Sequence, residues 1–139
     1  MNRTFYLATQ FLVVFLLMLS SCTSTTRIDG ERNDIELSQM QVGKWLCDDP
    51  TGKSEYTFKA DGTWAEKGVY YFDDGNRNVS LGGQWYIKDG YYYQKLEKTN
   101  IPDKIAPYDW MKFKIVSINQ DENVVVLPSG KLHRHTRIK

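Results

Sequence analysis

Apolar and polar residues alternate in short runs along most of this chain, and turn residues separate the runs. From Val42 onward the runs are rich in Val, Tyr, Trp and Phe, and their period of two is that of a half-buried strand. Asp-Gly pairs at 61–62 and 89–90 are typical of tight hairpins. The pattern predicts seven or eight strands, at about 42–47, 55–60, 63–72, 79–88, 91–98, 111–119, 123–127 and 131–136.

The first complete hairpin has two alternative registers. Tyr56 and Phe58 alternate with polar residues and therefore share one face of their strand. A three-residue loop with Gly62 in the left-handed conformation places Phe58 opposite Trp64. A two-residue loop places Phe58 opposite Ala65 and turns the Trp64 indole to the other face. We expect the first register, because it groups the large rings on one side.

The successive hairpins predict an all-β fold, an antiparallel meander of seven to eight strands that forms a small barrel. Gly82-Gly83 lies inside the fourth predicted strand, where glycine often marks a bulge or a bend. Residues 100–107 form the longest connection within the domain, and we expect them to cover one end. Closure of the barrel removes the exposed edges that so many short strands would otherwise leave.

The N-terminal segment has the pattern of a secretory signal. Arg3 precedes an unbroken apolar run over 11–19, which is shorter than the about 20 residues of a membrane-spanning helix. The segment resembles a bacterial lipoprotein signal peptide, and Leu19-Ser20-Ser21-Cys22 resembles its lipobox. The resemblance implies cleavage before Cys22 and acylation of that residue, with chains such as palmitate. Because Thr23 stands where an inner-membrane retention signal usually has Asp, the resemblance implies a cell-envelope protein anchored in the outer membrane and facing the periplasm.

These features predict three parts of the chain. The lipoprotein signal peptide takes residues 1–21, and a lipidated N-terminus with a flexible tether takes 22–38. The tether has too little apolar surface to fold by itself, apart from a short helical turn near Ile35–Met40. A lipocalin-like barrel domain takes 39–139.

Charge and cysteine content exclude some classes of function. Of 18 Lys and Arg residues one is Arg3, so removal of the signal leaves 17 basic and 17 acidic residues and no net charge. A balanced charge argues against a nucleic-acid partner. The chain has two cysteines. If Cys22 carries lipid, Cys47 has no disulfide partner, and we expect it to be a small buried apolar residue.

Two short motifs resemble lipocalins. Gly43-Lys44-Trp45, after the helical turn, resembles the Gly-x-Trp motif of the first lipocalin strand. The hairpin around Asp61-Gly62-Thr63-Trp64 resembles one in small bacterial lipocalin-like lipoproteins. The resemblance implies that an arginine of the last strand stacks on Trp45, either Arg134 or Arg137, and we expect Arg134.

The resemblance also implies a barrel interior that binds a small apolar ligand. The candidate binding residues are the aromatic residues expected inside, Tyr56, Phe58, Trp64, Trp85 and Phe113. The alternative is a barrel filled by its own side chains, in which these rings are simply the core.

His133 and His135 are the strongest candidates for metal ligands. Residues at i and i+2 of a strand face the same side, so the two rings could share an ion. No Cys or Glu is clearly placed as a third ligand, and an inward Arg134 would turn both histidines to solvent. The sequence therefore predicts no metal site and no cofactor.

The remaining motifs give no catalytic constellation. Asp48-Asp49 and Asp73-Asp74 lie beside Pro or Gly, where aspartate is typical of turns. We expect no enzymatic activity. The basic segment 131–139 is either a solvated edge strand or a contact for anionic lipid headgroups.

Two functional hypotheses remain. The first is a lipid-anchored envelope lipoprotein whose barrel binds a small apolar ligand. The alternative is a non-enzymatic module that contacts an envelope protein, as a hydrolase inhibitor or an assembly accessory, through exposed loops such as 100–108.

Overall fold

A computed structural model describes residues 34–139, which form one α-helix and eight β-strands. The predicted signal peptide 1–21, the predicted lipidation site Cys22 and the first part of the predicted tether lie outside the described residues. In chain order the elements are α1 (Asp34–Gln41), β1 (Gly43–Asp49), β2 (Gly52–Phe58), β3 (Thr63–Phe72), β4 (Gly75–Lys88), β5 (Tyr91–Thr99), β6 (Tyr108–Ile118), β7 (Glu122–Val126) and β8 (Leu132–Arg137).

The eight strands form a closed antiparallel barrel. Each strand pairs with the next along the chain, and β8 pairs with β1. At the closure Trp45 lies opposite Arg137, and Leu46 lies opposite Thr136. The predicted fold class, an all-β meander that closes into a small barrel, is confirmed.

The β2–β3 hairpin has the register that groups its aromatic rings. Phe58 pairs with Trp64, and Gly62 has a φ of +80°, which is the left-handed conformation. The loop is fixed from within, because the Lys59 amide donates to the Thr63 carbonyl at 2.9 Å and the Asp61 carboxylate accepts from the Thr63 amide at 2.9 Å. The first of the two predicted registers is therefore correct.

The paired glycines of β4 lie at a bulge. The register between β4 and β5 shifts between Gly82 and Gly83. A Cβ atom on Gly83 would lie 1.9 Å from the Lys95 carbonyl oxygen, so the two backbones approach too closely for any side chain there. This irregularity lets the longest strand of the described chain bend around the barrel.

One end of the barrel, here called the helix end, carries α1 and the loops that join β2–β3, β4–β5 and β6–β7. The Asp34 carboxylate accepts hydrogen bonds from the amides of Asp89 at 2.9 Å and Gly90 at 3.2 Å. Leu37, a residue of α1, is buried in the core. Residues 34–38, which the sequence predicts to be part of the tether, thus belong to the folded unit. Within residues 34–139, no helix combines the length and the apolar character needed to cross a membrane.

The opposite end, here called the loop end, includes the long β5–β6 connection at 100–107. Ile101 is buried, and Ile105 packs against the core. Lys104 Nζ lies 2.7 Å from the Asp74 carboxylate and 5.6 Å from the centre of the Phe72 ring. The connection is thus fastened to the β3–β4 hairpin and covers part of the loop end, as the sequence predicted.

Candidate functional site

The barrel interior is not completely filled and retains a cavity of about 230 Å³. Four of the five aromatic residues predicted to bind a ligand line this cavity, together with Tyr92. Phe58 and Tyr92 meet edge to face at 5.7 Å, and Tyr92 stacks on Phe113 at 5.5 Å. The aromatic wall of the cavity consists of Tyr56, Phe58, Trp64, Tyr92, Phe113 and the half-buried Tyr70 and Tyr108.

Trp85, the fifth predicted ligand-binding residue, does not line the cavity. Its ring packs edge to face on Phe58 at 5.6 Å. Its indole N–H donates to the carbonyls of Lys59 at 3.1 Å and Thr63 at 3.0 Å. Trp85 therefore fastens the β2–β3 hairpin from beneath, and its role is structural.

Glu66 is the one carboxylate of the described chain that lines the cavity. It is 2 % exposed, and Tyr70 donates its hydroxyl to Glu66 Oε1 at 2.6 Å. In the part of the chain that the structure describes, no Lys or Arg forms an ion pair with it. Burial raises the pKa of the Glu66 carboxyl, although hydrogen bonds from Tyr70 and two neighbouring hydroxyls act in the opposite direction.

Buried amides add further polar groups to the cavity wall. Asn123 donates its side-chain amide to Gln41 Oε1 at 2.8 Å, which joins β7 to the end of α1. The second polar atom of each side chain, Gln41 Nε2 and Asn123 Oδ1, has no hydrogen-bond partner among the described residues. Unsatisfied buried polar atoms are costly. They are therefore suited to meet a polar group inside the cavity.

The arginine that stacks on Trp45 is Arg137, and the prediction of Arg134 was wrong. The Arg137 guanidinium lies 4.1 Å from the centre of the Trp45 ring. Arg134 is exposed and pairs with Glu122 on the outer surface. The inward residues of β8 have odd numbers, because pairing with β1 sets Arg137 opposite Trp45.

Because the odd-numbered residues of β8 face inward, His133 and His135 lie on the inner side of the barrel. His135 is 6 % exposed and His133 is half-buried, whereas an inward Arg134 would have turned both to solvent. Cys47, on the neighbouring strand β1, is buried beside them with Sγ 3.4 Å from His133 Nε2. One ligand atom from each of the three residues lies within 4.8 Å of the other two. The barrel closure therefore supplies the third ligand that the sequence analysis did not find.

The electrostatics of this Cys–His–His cluster favour neutral side chains in the absence of an ion. Burial, with a contribution from the nearby carboxylates of Asp49 and Glu66, raises the pKa of the Cys47 thiol to about 12. Burial lowers the pKa of His135 to about 3. Neither ring nitrogen of His135 has a hydrogen-bond partner among residues 34–139. The cluster thus holds lone pairs that no described proton donor satisfies.

Glu66 and Cys47 are functional candidates that the sequence analysis missed. For Glu66 a signal existed, since it is two residues after Trp64 on one strand and must share its inward face. For Cys47 no local signal existed, because His133 is 86 residues away and meets it only through the closure of the barrel. Comparison of the chain with protein-family models, with curated proteins and with solved structures found no match.

Proposed function

We propose that this protein is a lipid-anchored, lipocalin-like barrel of the bacterial envelope that binds one small ligand in its interior. The observation that carries the proposal is the cavity of about 230 Å³ inside the closed barrel. Ligand pockets of drug-sized molecules measure about 300–1,000 Å³, so the ligand expected here is smaller than those. The role is binding rather than catalysis.

The cavity wall supports a ligand that is mainly apolar but carries one polar end. Aromatic and aliphatic side chains, among them Phe58, Trp64 and Leu96, form most of the wall. The polar groups of Glu66, Gln41 and Asn123 also reach it. A purely apolar ligand would leave the free amide atoms of Gln41 and Asn123 unsatisfied, which is unfavourable. A ligand with a hydroxyl or amide group can both accept from Gln41 Nε2 and donate to Asn123 Oδ1.

The test is native mass spectrometry of the full-length protein, extracted from its own cells in a mild detergent. We expect a discrete added mass that is retained on gentle release of the detergent. Leu81→Phe places a bulkier side chain in the cavity wall and should abolish the added mass. Leu132→Phe is the matched control, because Leu132 is 57 % exposed and does not line the cavity. This variant should retain the added mass. A bare mass for the unmodified protein overturns the proposal.

The anchor is a separate part of the proposal and has its own test. Acylation of Cys22, which follows from the resemblance to a lipobox, would hold the barrel at the periplasmic face of the outer membrane. Cells that express the protein with labelled palmitate should label the natural chain and the Cys47→Ala variant. Cys22→Ala should remain unlabelled. Label on Cys22→Ala would remove the anchor from the proposal without affecting the ligand.

A second candidate function has one specific observation in its favour. The outer face of β4–β6 carries an aromatic patch that consists of Tyr86, Tyr93 and Trp110. Tyr86 stacks on Tyr93 at 4.6 Å and meets Trp110 edge to face at 4.8 Å, and Tyr86 and Trp110 are 39 % and 40 % exposed. Tyr and Trp are enriched at protein interfaces. We propose as the alternative that this patch contacts an envelope protein.

The charge around this aromatic patch favours a partner with an acidic surface, because Lys88, Lys112 and Lys114 are exposed on the same outer face. A photo-crosslinker placed at Trp110 in living cells should give one discrete adduct, whose identity mass spectrometry then establishes. The same crosslinker at Val116, also exposed on β6, is the matched control and should give none. Equal patterns at both positions would contradict this alternative.

A further inference from the structure

We propose that Cys47, His133 and His135 bind a single zinc ion in the wall of the barrel cavity. Thiolate and imidazole are the ligands that zinc prefers in proteins. The three side chains come from β1 and β8, which hydrogen-bonding joins at the barrel closure. The ligands are thus held on a rigid part of the fold rather than on a loop.

The distances fit this chemistry. With a Zn–S bond of about 2.3 Å and a Zn–N bond of about 2.0 Å, tetrahedral geometry separates the sulfur and nitrogen ligands by about 3.5 Å. Cys47 Sγ and His133 Nε2 are 3.4 Å apart. The His135 ring lies with its centre 4.5 Å from that of His133, and all three ligand atoms lie within 4.8 Å of one another. Zinc binding would draw the three ligand atoms from this spread toward the tetrahedral separation.

The burial and the unpaired nitrogen atoms of His135 support a metal site independently of these distances. Its ring is buried against the edge of Tyr56, at 4.9 Å between ring centres. Both of its nitrogen atoms lack a hydrogen-bond partner among residues 34–139. A histidine that served only to fill the core would leave two polar atoms unsatisfied at a cost that an apolar residue avoids. A metal ion satisfies one of them directly.

Asp49 does not bind the ion in this proposal but lies beside one of the ligands, His133. Its Oδ2 lies 3.6 Å from His133 Nδ1, on the side of the ring opposite to the nitrogen that faces Cys47. Histidine ligands of zinc commonly direct their second nitrogen at a carboxylate, which fixes the tautomer and the orientation of the ring. Asp49 itself is held by the Thr51 amide at 2.7 Å. Asp49 is therefore a positioning residue for His133.

The cavity determines what a bound ion could do. His133 and His135 both line the cavity, so a fourth coordination position would face the interior. Zinc sites with three protein ligands keep such a position for water or for a ligand. On binding, the ion replaces the thiol proton of Cys47, and one proton per zinc ion is released to solvent. Zinc binding itself needs no ligand in the cavity, so it can succeed or fail independently of the proposed ligand.

The experiment uses the full-length protein, reduced and freed of metal with a chelator, and then titrated with Zn²⁺ against a competing chromophoric chelator. We expect one ion per chain. Titration with Co²⁺ as a spectroscopic probe should give the intense bands of a tetrahedral site with a thiolate ligand. Cys22→Ala leaves Cys47 as the one cysteine of the chain and should keep both results.

Substitution of the ligands provides the decisive comparison. Cys47→Ser and His135→Gln should weaken zinc binding by more than about 100-fold, which is the upper end of what loss of an outer-shell partner costs. Asp49→Asn should weaken it by about 10-fold or more through the orientation of His133. Asp48→Asn, an exposed neighbour on the same strand, should leave it unchanged.

The test remains decisive even if a variant fails to fold, because the cobalt spectrum of the unmodified chain already reports the geometry and the thiolate ligand of the site. Octahedral bands without a thiolate transition, or no stoichiometric binding, overturn the proposal. Binding of Cu⁺ without binding of Zn²⁺ overturns the assignment of zinc. Zinc binding that Cys47→Ser and His135→Gln leave intact, in variants with the circular dichroism spectrum of the folded barrel, overturns the site.

Discussion

The Arg137 guanidinium covers the buried face of Trp45 at 4.1 Å and also donates hydrogen bonds to the carbonyls of Met40 and Val42. One side chain of the last strand thus contacts the first strand and the end of the helix. Trp45 in turn donates its indole N–H to the Gln41 carbonyl at 2.8 Å. These contacts fasten the barrel closure to α1.

Arg137→Ala should therefore destabilise the barrel strongly. It removes hydrogen bonds of a charged donor, worth about 1.5–3 kcal/mol, and a cation–π contact worth about 0.5–2 kcal/mol. We expect a loss of about 2–5 kcal/mol in the free energy of unfolding, measured by urea denaturation. Arg134→Ala, three residues earlier in β8 and on the outer face, is the matched control, and an exposed ion pair of this kind contributes about 0–1 kcal/mol. Equal losses for the two variants would contradict the assignment of Arg137.

The buried carboxyl of Glu66 gives a pH-dependent prediction. Its pKa in the folded protein is raised above the usual 4.5, so the folded state binds a proton that the unfolded state has already lost. The contribution of Glu66 is therefore fully present below pH 4.5 and is lost as pH rises through the folded-state pKa.

The measurement is the free energy of unfolding over this pH range for the natural chain and for Glu66→Gln. The difference between the two should shift in favour of Glu66→Gln as pH rises. Glu55→Gln, a carboxylate on the adjacent strand that pairs with Lys44 on the surface, controls for the general loss of one negative charge. If Glu66→Gln and Glu55→Gln show the same pH profile, the buried carboxyl does not titrate as described.

The adjacent glycines of the β4 bulge should differ sharply in their tolerance of alanine. A Cβ atom on Gly83 would lie 1.9 Å from the Lys95 carbonyl oxygen, whereas on Gly82 its nearest neighbour is the Trp64 carbonyl oxygen at 3.2 Å. Overpacking costs about 1–3 kcal/mol and occasionally more. We expect Gly83→Ala to lose about 3 kcal/mol of stability or not to fold, and Gly82→Ala to lose less than about 1 kcal/mol. Thermal unfolding of the pair checks this, and similar melting temperatures would contradict the described backbone approach.

Substitution of Trp64 and Trp85 distinguishes a ligand-binding residue from a purely structural one. Trp64 lines the cavity and donates to the Lys95 carbonyl at 3.0 Å, whereas Trp85 lies outside the cavity and fastens the β2–β3 hairpin. Each substitution to Phe removes a buried hydrogen bond, so both variants should lose about 1–3 kcal/mol of stability. Retention of the native ligand mass should decrease for Trp64→Phe and stay unchanged for Trp85→Phe. Loss of the ligand from Trp85→Phe alone would place the binding site elsewhere.

The sequence predicted those parts of the fold that depend on near neighbours. The register that pairs Phe58 with Trp64 follows from the turn chemistry of Gly62, and the bulge follows from two glycines inside one strand. In both cases the determining residues lie within a few positions of the feature that they cause.

The predictions that failed depend on the closure of the barrel. The expectation of Arg134 fails because alternation within β8 has two possible phases, and only pairing with β1 decides between them. The same phase decides whether His133 and His135 face solvent or Cys47. Glu66 is different, because its spacing from Trp64 already indicated an inward position.

The most direct test of the central claim is a crystal structure of the full-length protein isolated from its own cells. The claim predicts continuous electron density for one small molecule inside the barrel, against the Trp64 and Phe113 rings and within hydrogen-bond distance of Glu66, Gln41 or Asn123. An interior that holds only isolated waters, or one in which the side chains have closed the cavity, would contradict it.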